Sequence, residues 1–165
     1  MNMSTRCSVL LLLVTCASAS RADSGTTAVE LVARLYRDFA WEAVIDEPEW
    51  RKHELLNQPQ TVLARYFDSN LTALIRRDRR CVATTREICN LDFSPIWASQ
   101  DPGASGLKIV AGPTPEIVNV SFRYPGNGTK VELSYRTVKT RAGWRIADIR
   151  YGDGSSLVSV LSVKP

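Results

Sequence analysis

The chain has 165 residues, with 21 Lys and Arg against 17 Asp and Glu, and 44% of it is hydrophobic. That is enough apolar material for one core, and the formal net charge of +4 is too mild to mark a nucleic-acid binder. A single histidine, with two of the four cysteines in the first 19 residues and the other two able to pair with each other, leaves little with which to build a metal centre.

The N-terminus reads as an export signal. Arg6 supplies a positive start, and Val9 to Val14 is an apolar stretch too short to span a bilayer. Ala17-Ser18-Ala19 has the small-x-small pattern of a cleavage site, so residues 1–19 are expected to be removed and residues 20–165 to form one domain. A competing reading takes Leu13-Val14-Thr15-Cys16 as a lipoprotein site with Cys16 lipidated, although Thr15 is a poor residue before such a cysteine. Beyond residue 19 two cysteines remain, Cys81 and Cys89, and in an oxidising compartment they have one intramolecular pairing.

Thr27-Ala-Val-Glu30 is a capping box, and Val29, Leu31, Val32, Leu35, Tyr36 and Phe39 follow at helical spacing. Residues from Trp41 to Gln60 show no clear period and read as a connection with a short helix. A second helical pattern starts near Gln60, with Val62, Leu63, Tyr66 and Phe67. Asp68 or Ser69 can cap a third, carrying Leu71, Leu74 and Ile75 and ending in Arg76, Arg77, Arg79 and Arg80. Placed in a last turn, those arginines would complement the helix dipole; they would also suit an anionic partner. Cys81 to Gly106 reads as an ordered loop, in which Phe93, Ile96 and Trp97 are aromatic or apolar anchors beside Asp92 and Asp101.

Four strands are then expected: Leu107 to Ala111, Ile117 to Tyr124, Thr129 to Thr140 and Trp144 to Tyr151. Pro125-Gly-Asn-Gly128 and Arg141-Ala-Gly143 supply the turns between the last three. Simple alternation puts Trp144, Ile146 and Asp148 on one face of the last strand and Ala147, Ile149 and Tyr151 on the other. Ser155 or Ser156 can cap a terminal helix. The expected fold is α+β: N-terminal helices packed on a curved four-stranded antiparallel meander, a cone whose mouth would be a pocket near Tyr135, Trp144 and Asp148.

Several stretches resemble a family of small exported bacterial proteins, catalogued as domain of unknown function 3828, within the nuclear-transport-factor-2-like superfamily. They are Leu63-Ala-Arg-Tyr-Phe67 with Leu71 and Leu74, Leu91-Asp-Phe93 with Gln100-Asp101, and Gly143-Trp-Arg-Ile-Ala-Asp-Ile149 with Ser156-Leu157. The resemblance takes in the first helix with Tyr36 and Phe39; the stretch from Trp41 to Pro59 matches no pattern of the family. The resemblance implies a cone fold and no particular activity, while the N-terminal signal implies a periplasmic setting, soluble or anchored through Cys16.

Catalytic constellations are thin. His53, beside Arg51, Lys52 and Glu54, reads as a solvated surface residue. Asp92 and Asp101 lack the D-x-D-x-D-G spacing of a calcium loop, so no metal and no cofactor is assigned. Asp148 is the one strand carboxylate that could enter a pocket as an acid or base; the alternative is a structural carboxylate that pairs with an arginine or accepts backbone hydrogen bonds. The expectation is a non-enzymatic binding protein, in its most specific form an immunity or inhibitor protein against an envelope-acting toxin or cell-wall hydrolase. Its partner face would use Arg76, Arg77, Arg79, Arg80, Asp92, Trp97 and Asp101. A small-ligand or lipid carrier, and least of all an enzyme centred on Asp148, stand as alternatives. Nucleic acid is not expected, and a membrane is expected only if Cys16 is lipidated.

Overall fold

A computed structural model describes residues 26–45 and 47–163; the expected signal segment, its cleavage site and Cys16 lie outside them. Helix α1 (Ala28–Phe39) starts at the capping box. Thr27 Oγ1 accepts from Glu30 N at 3.1 Å, and the Glu30 carboxylate accepts from Thr27 N at 2.8 Å. Its apolar stripe of Leu31, Val32, Leu35, Tyr36 and Phe39 is buried, each side chain contributing about 1.5–3 kcal/mol by leaving water. Three 3₁₀ turns follow, at Ala40–Ala43, Pro48–His53 and Leu55–Asn57, and then the four-residue helix α2 (Gln60–Leu63).

Helix α3 (Ser69–Thr85) is capped by Asp68, whose carboxylate accepts from Leu71 N at 2.7 Å. It is longer than the sequence led us to expect. Cys81 to Thr85 continue the helix, which ends only where Arg86 turns left-handed (φ 62°). Arg76 to Arg80 are therefore not in its last turn. A helix dipole acts only over the terminal turn, so it does not account for them. The disulfide joins Cys81 on the helix to Cys89 beyond it, with Cα atoms 6.2 Å apart, as in proteins matured in an oxidising compartment. Closing this short loop stabilises the fold by about 2–3 kcal/mol. Cys81→Ser is expected to melt lower than oxidised wild type and at the temperature of reduced wild type. Equal melting temperatures for oxidised and reduced wild type would contradict this.

Strands β1 (Ser105–Ala111), β2 (Ile117–Arg123), β3 (Lys130–Thr140) and β4 (Gly143–Arg150) form an antiparallel meander in the order β1-β2-β3-β4. The fold is thus α+β, with the N-terminal helices packed against a four-stranded sheet. Val118, Val120 and Phe122 on β2 and Leu133, Tyr135 and Thr137 on β3 are buried, as alternation requires. Helix α1 packs on β1, β2 and β4, while α4 (Leu157–Ser162) packs on β4 and α3.

The faces of β4 depart from simple alternation. Tyr135 pairs with Ile149 and Arg136 with Asp148, but Thr137 pairs with Ile146, so Ala147 is an extra residue in a bulge. Ile146 and Ile149 therefore share the face of Tyr135 and Thr137, and Asp148 turns away from it. The chain beside β4 explains the bulge. Ile146 N donates to Tyr66 O at 2.7 Å and Asp68 N donates to Ile146 O at 2.9 Å, so the segment after α2 covers this edge of the sheet.

Candidate functional site

The space between α1 and the sheet is filled rather than open. Tyr36 OH donates to Ile96 O at 2.7 Å and lies 2.9 Å from Tyr135 OH, and both rings are buried. Burial pushes both hydroxyls well above the ordinary phenol value, so they stay neutral and serve as hydrogen-bonding groups. Tyr135, expected at a pocket mouth, is thus a core residue. Asp148 is also buried: its Oδ1 accepts from Ile149 N at 2.9 Å and from Val158 N at 3.0 Å, in the first turn of α4. Trp144 of that expected group lines a different pocket, shared with arginines of α1 and of the β3–β4 hairpin.

The four arginines of α3 meet different neighbours. Arg76 donates to the Gln60 side chain, and Arg77 donates to the Leu161 carbonyl under α4. The charge of Arg79 acts on Glu54, and Arg80 is exposed. Trp97, expected at a partner face, is only 2% exposed. Its ring meets those of Tyr36 and Phe122 edge-on at 5.0 and 5.5 Å, which makes it a core anchor for the loop.

Asp92 and Asp101 do come together. They lie on a groove of about 530 Å³ whose other wall is the segment from Trp41 to Leu56. Three large apolar side chains on this groove face water: Val44 (78% exposed), Ile88 (71%) and Trp50 (43%). Trp41 and Trp50 lie 5.7 Å apart, ring centre to ring centre, and Trp50 leans on His53 at 5.9 Å. Among the described residues, five carboxylates line the groove (Glu42, Glu47, Glu54, Asp92 and Asp101) against one cation, Arg51. Among the described residues, no three His, Cys, Asp or Glu converge as a metal-binding set.

Glu42 ties the two walls together. Its Oε1 accepts from Leu55 N at 2.7 Å and its Oε2 from the Ser94 hydroxyl at 3.0 Å. Burial raises its pKa above the ordinary carboxyl value, the bonds from Leu55 and Ser94 oppose that, and nearby Glu54 adds to it. Burial also raises Glu54, with Arg51 and Arg79 opposing. A carboxyl whose pKa is raised by folding binds its proton more tightly in the folded state. Its stabilising effect is full below the unfolded value and is lost as pH rises through the folded one. Glu42→Gln keeps an acceptor for Leu55 N and a polar group beside Ser94. We expect it to lose no more than about 1 kcal/mol at neutral pH. We also expect its stability to climb less steeply than that of wild type as the solution is acidified. Glu42→Ala strands both donors and should cost about 2–4 kcal/mol. Parallel slopes for wild type and Glu42→Gln in urea titrations at several pH values would contradict this.

The sequence made Asp92 and Asp101 visible but hid the opposite wall. The available signal was the pair Trp41 and Trp50 in a stretch otherwise rich in Glu, Arg and Lys, where exposed aromatics have no reason to sit unless they meet something. No helix among the described residues is long and apolar enough to cross a membrane. No family model, curated protein or solved structure matches the chain, so the chemistry of the groove is read from its own geometry.

Proposed function

We propose that this chain is a non-enzymatic binding protein of the cell envelope that holds a protein partner in the groove between Trp41–Leu56 and the Leu91–Pro102 loop. The observation that carries the reading is the grouping of Val44, Trp50 and Ile88, all exposed, around an acidic concavity. An apolar centre with a charged surround is the anatomy of a docking site, and aromatic anchors dominate such sites energetically. Among the described residues, five carboxylates against one guanidinium favour a basic partner face. The export signal read in residues 1–19 and the resemblance to small exported bacterial proteins support an envelope setting. The most specific form of the reading is an immunity or inhibitor protein that covers the basic substrate cleft of an envelope-acting toxin or cell-wall hydrolase.

The test is periplasmic co-expression with cell-wall-degrading toxins encoded beside it, scored as survival. Wild type is expected to protect against one of them. Trp50→Ala should weaken the complex by about 2 kcal/mol, roughly thirtyfold, and Val44→Asp with Ile88→Asp should abolish protection. Arg80→Glu, away from the groove, should protect like wild type. Protection against none, or protection that survives the Val44→Asp and Ile88→Asp pair, sinks the reading.

A further inference from the structure

A second concavity, of about 690 Å³, gathers charge of the opposite sign. Three separate stretches deliver it: Arg34 from α1, Arg65 from the turn after α2, and Lys139, Arg141 and Arg145 from the β3–β4 hairpin, facing one carboxylate, Asp38. That carboxylate is already engaged. Its Oδ1 lies 3.2 Å from Arg37 Nε, and its Oδ2 accepts from Tyr66 OH.

The guanidiniums are positioned by neutral groups. Arg145 Nε donates to Ala64 O at 2.8 Å and its Nη1 to Trp144 O at 2.7 Å. Arg34 sits 5.8 Å from the centre of the Tyr66 ring and donates to Arg65 O at 3.5 Å. Among the described residues, none of the five cations lies within salt-bridge distance of a carboxylate. Carbonyl oxygens and a ring face fix orientation without cancelling charge. A soluble surface ordinarily intersperses both signs, because like charges brought together repel. Here the fold holds them together in a concavity, and among the described residues their charge is left uncompensated.

We propose that this pocket is a binding site for a phosphorylated ligand carrying two or more negative charges. Fixed guanidiniums match phosphate oxygens with paired N–H donors, and a concave, one-signed site concentrates multivalent anions. The site shares no lining residue with the acidic groove, so it stands or falls independently of the partner proposed there.

The same phosphate chemistry has two sources, a soluble phosphate compound or a lipid headgroup, and two probes separate them. Inorganic pyrophosphate is titrated calorimetrically into the full chain at about 0.15 M salt, where unspecific surface attraction is screened. Phosphatidylcholine vesicles with and without phosphatidic acid are tested by co-sedimentation. Lys139→Glu with Arg141→Glu is the informative variant, since neither side chain bonds to the described protein. It should weaken binding about tenfold or more. Arg80→Glu with Arg150→Glu makes the same change in net charge elsewhere and should leave affinity within about twofold, because the contacts are local. Binding of pyrophosphate alone, lost in the hairpin variant, assigns a soluble phosphate. Co-sedimentation only with phosphatidic acid, lost in the same variant, assigns a headgroup. Absence of saturable binding to both probes overturns the proposal, and so does an equal loss in the two double variants.

Discussion

Trp97→Ala is expected to lower the free energy of unfolding by about 3–5 kcal/mol, the largest loss from any single change on the loop. The indole lies edge-on between Tyr36 of α1 and Phe122 of β2, so removing it opens a void at the junction of helix, sheet and loop. The loop backbone depends on the same junction. Tyr36 OH holds Ile96 O at 2.7 Å, and Tyr124 OH lies 3.0 and 2.8 Å from the carbonyls of Trp97 and Ala98. Loosening Trp97 therefore loosens the wall that carries Asp92 and Asp101. Trp50→Ala is the contrast: a half-exposed indole on the groove should cost less than about 1 kcal/mol of stability and act on binding instead. Urea titrations followed by far-ultraviolet circular dichroism measure both. Similar midpoints for wild type and Trp97→Ala would contradict the packing described.

Asp148→Ala should cost about 3 kcal/mol, since one buried and one part-buried N–H group lose their acceptor. One is Ile149 N, next to the bulge; the other is Val158 N, in the first turn of α4, where a carboxylate also complements the positive end of the helix. That turn begins with Leu157, and Leu157 and Leu161 are both fully buried, so the C-terminal helix stays docked only if its start is held. Asp148→Asn retains an oxygen that can accept from both donors and should lose about 1 kcal/mol. The ordering of Asn above Ala identifies a positioning carboxylate; equal losses would contradict it.

The parts of the fold that were legible in the sequence are those governed by local rules. Thr27 with Glu30, Asp68 before Leu71, and the alternation of Val118, Val120 and Phe122 each follow from neighbours a few residues away. The bulge at Ala147 was not legible, because it depends on Tyr66 and Asp68 docking against β4 from far along the chain. One extra residue then inverted the expected face of Asp148. The run of α3 through Thr85 was hidden by its weak helix formers. Thr84 and Thr85 return their hydroxyls to the Arg80 and Cys81 carbonyls at 2.9 and 3.0 Å, and the disulfide pins the turn beyond.

The site was half legible for a related reason. Trp97 and Trp50 look alike as loop aromatics, and only the distant rings of Tyr36 and Phe122 decide which one is buried. Ala40–Ala43, Pro48–His53 and Leu55–Asn57 are 3₁₀ turns, whose three-residue period is too short-lived to leave an amphipathic pattern. So the wall bearing Val44 and Trp50 gave no periodic signal, while the isolated carboxylates Asp92 and Asp101 could be picked out by composition.

The central claim, that the acidic groove is the partner face, is tested most directly by site-specific photocrosslinking in the periplasm, with the protected-against toxin co-expressed. A photoreactive residue replacing Val44, Trp50 or Ile88 should capture the toxin through a basic segment, and one replacing Arg80 or Arg150 should capture none. Crosslinks from Arg80 or Arg150 with none from the groove would contradict the account.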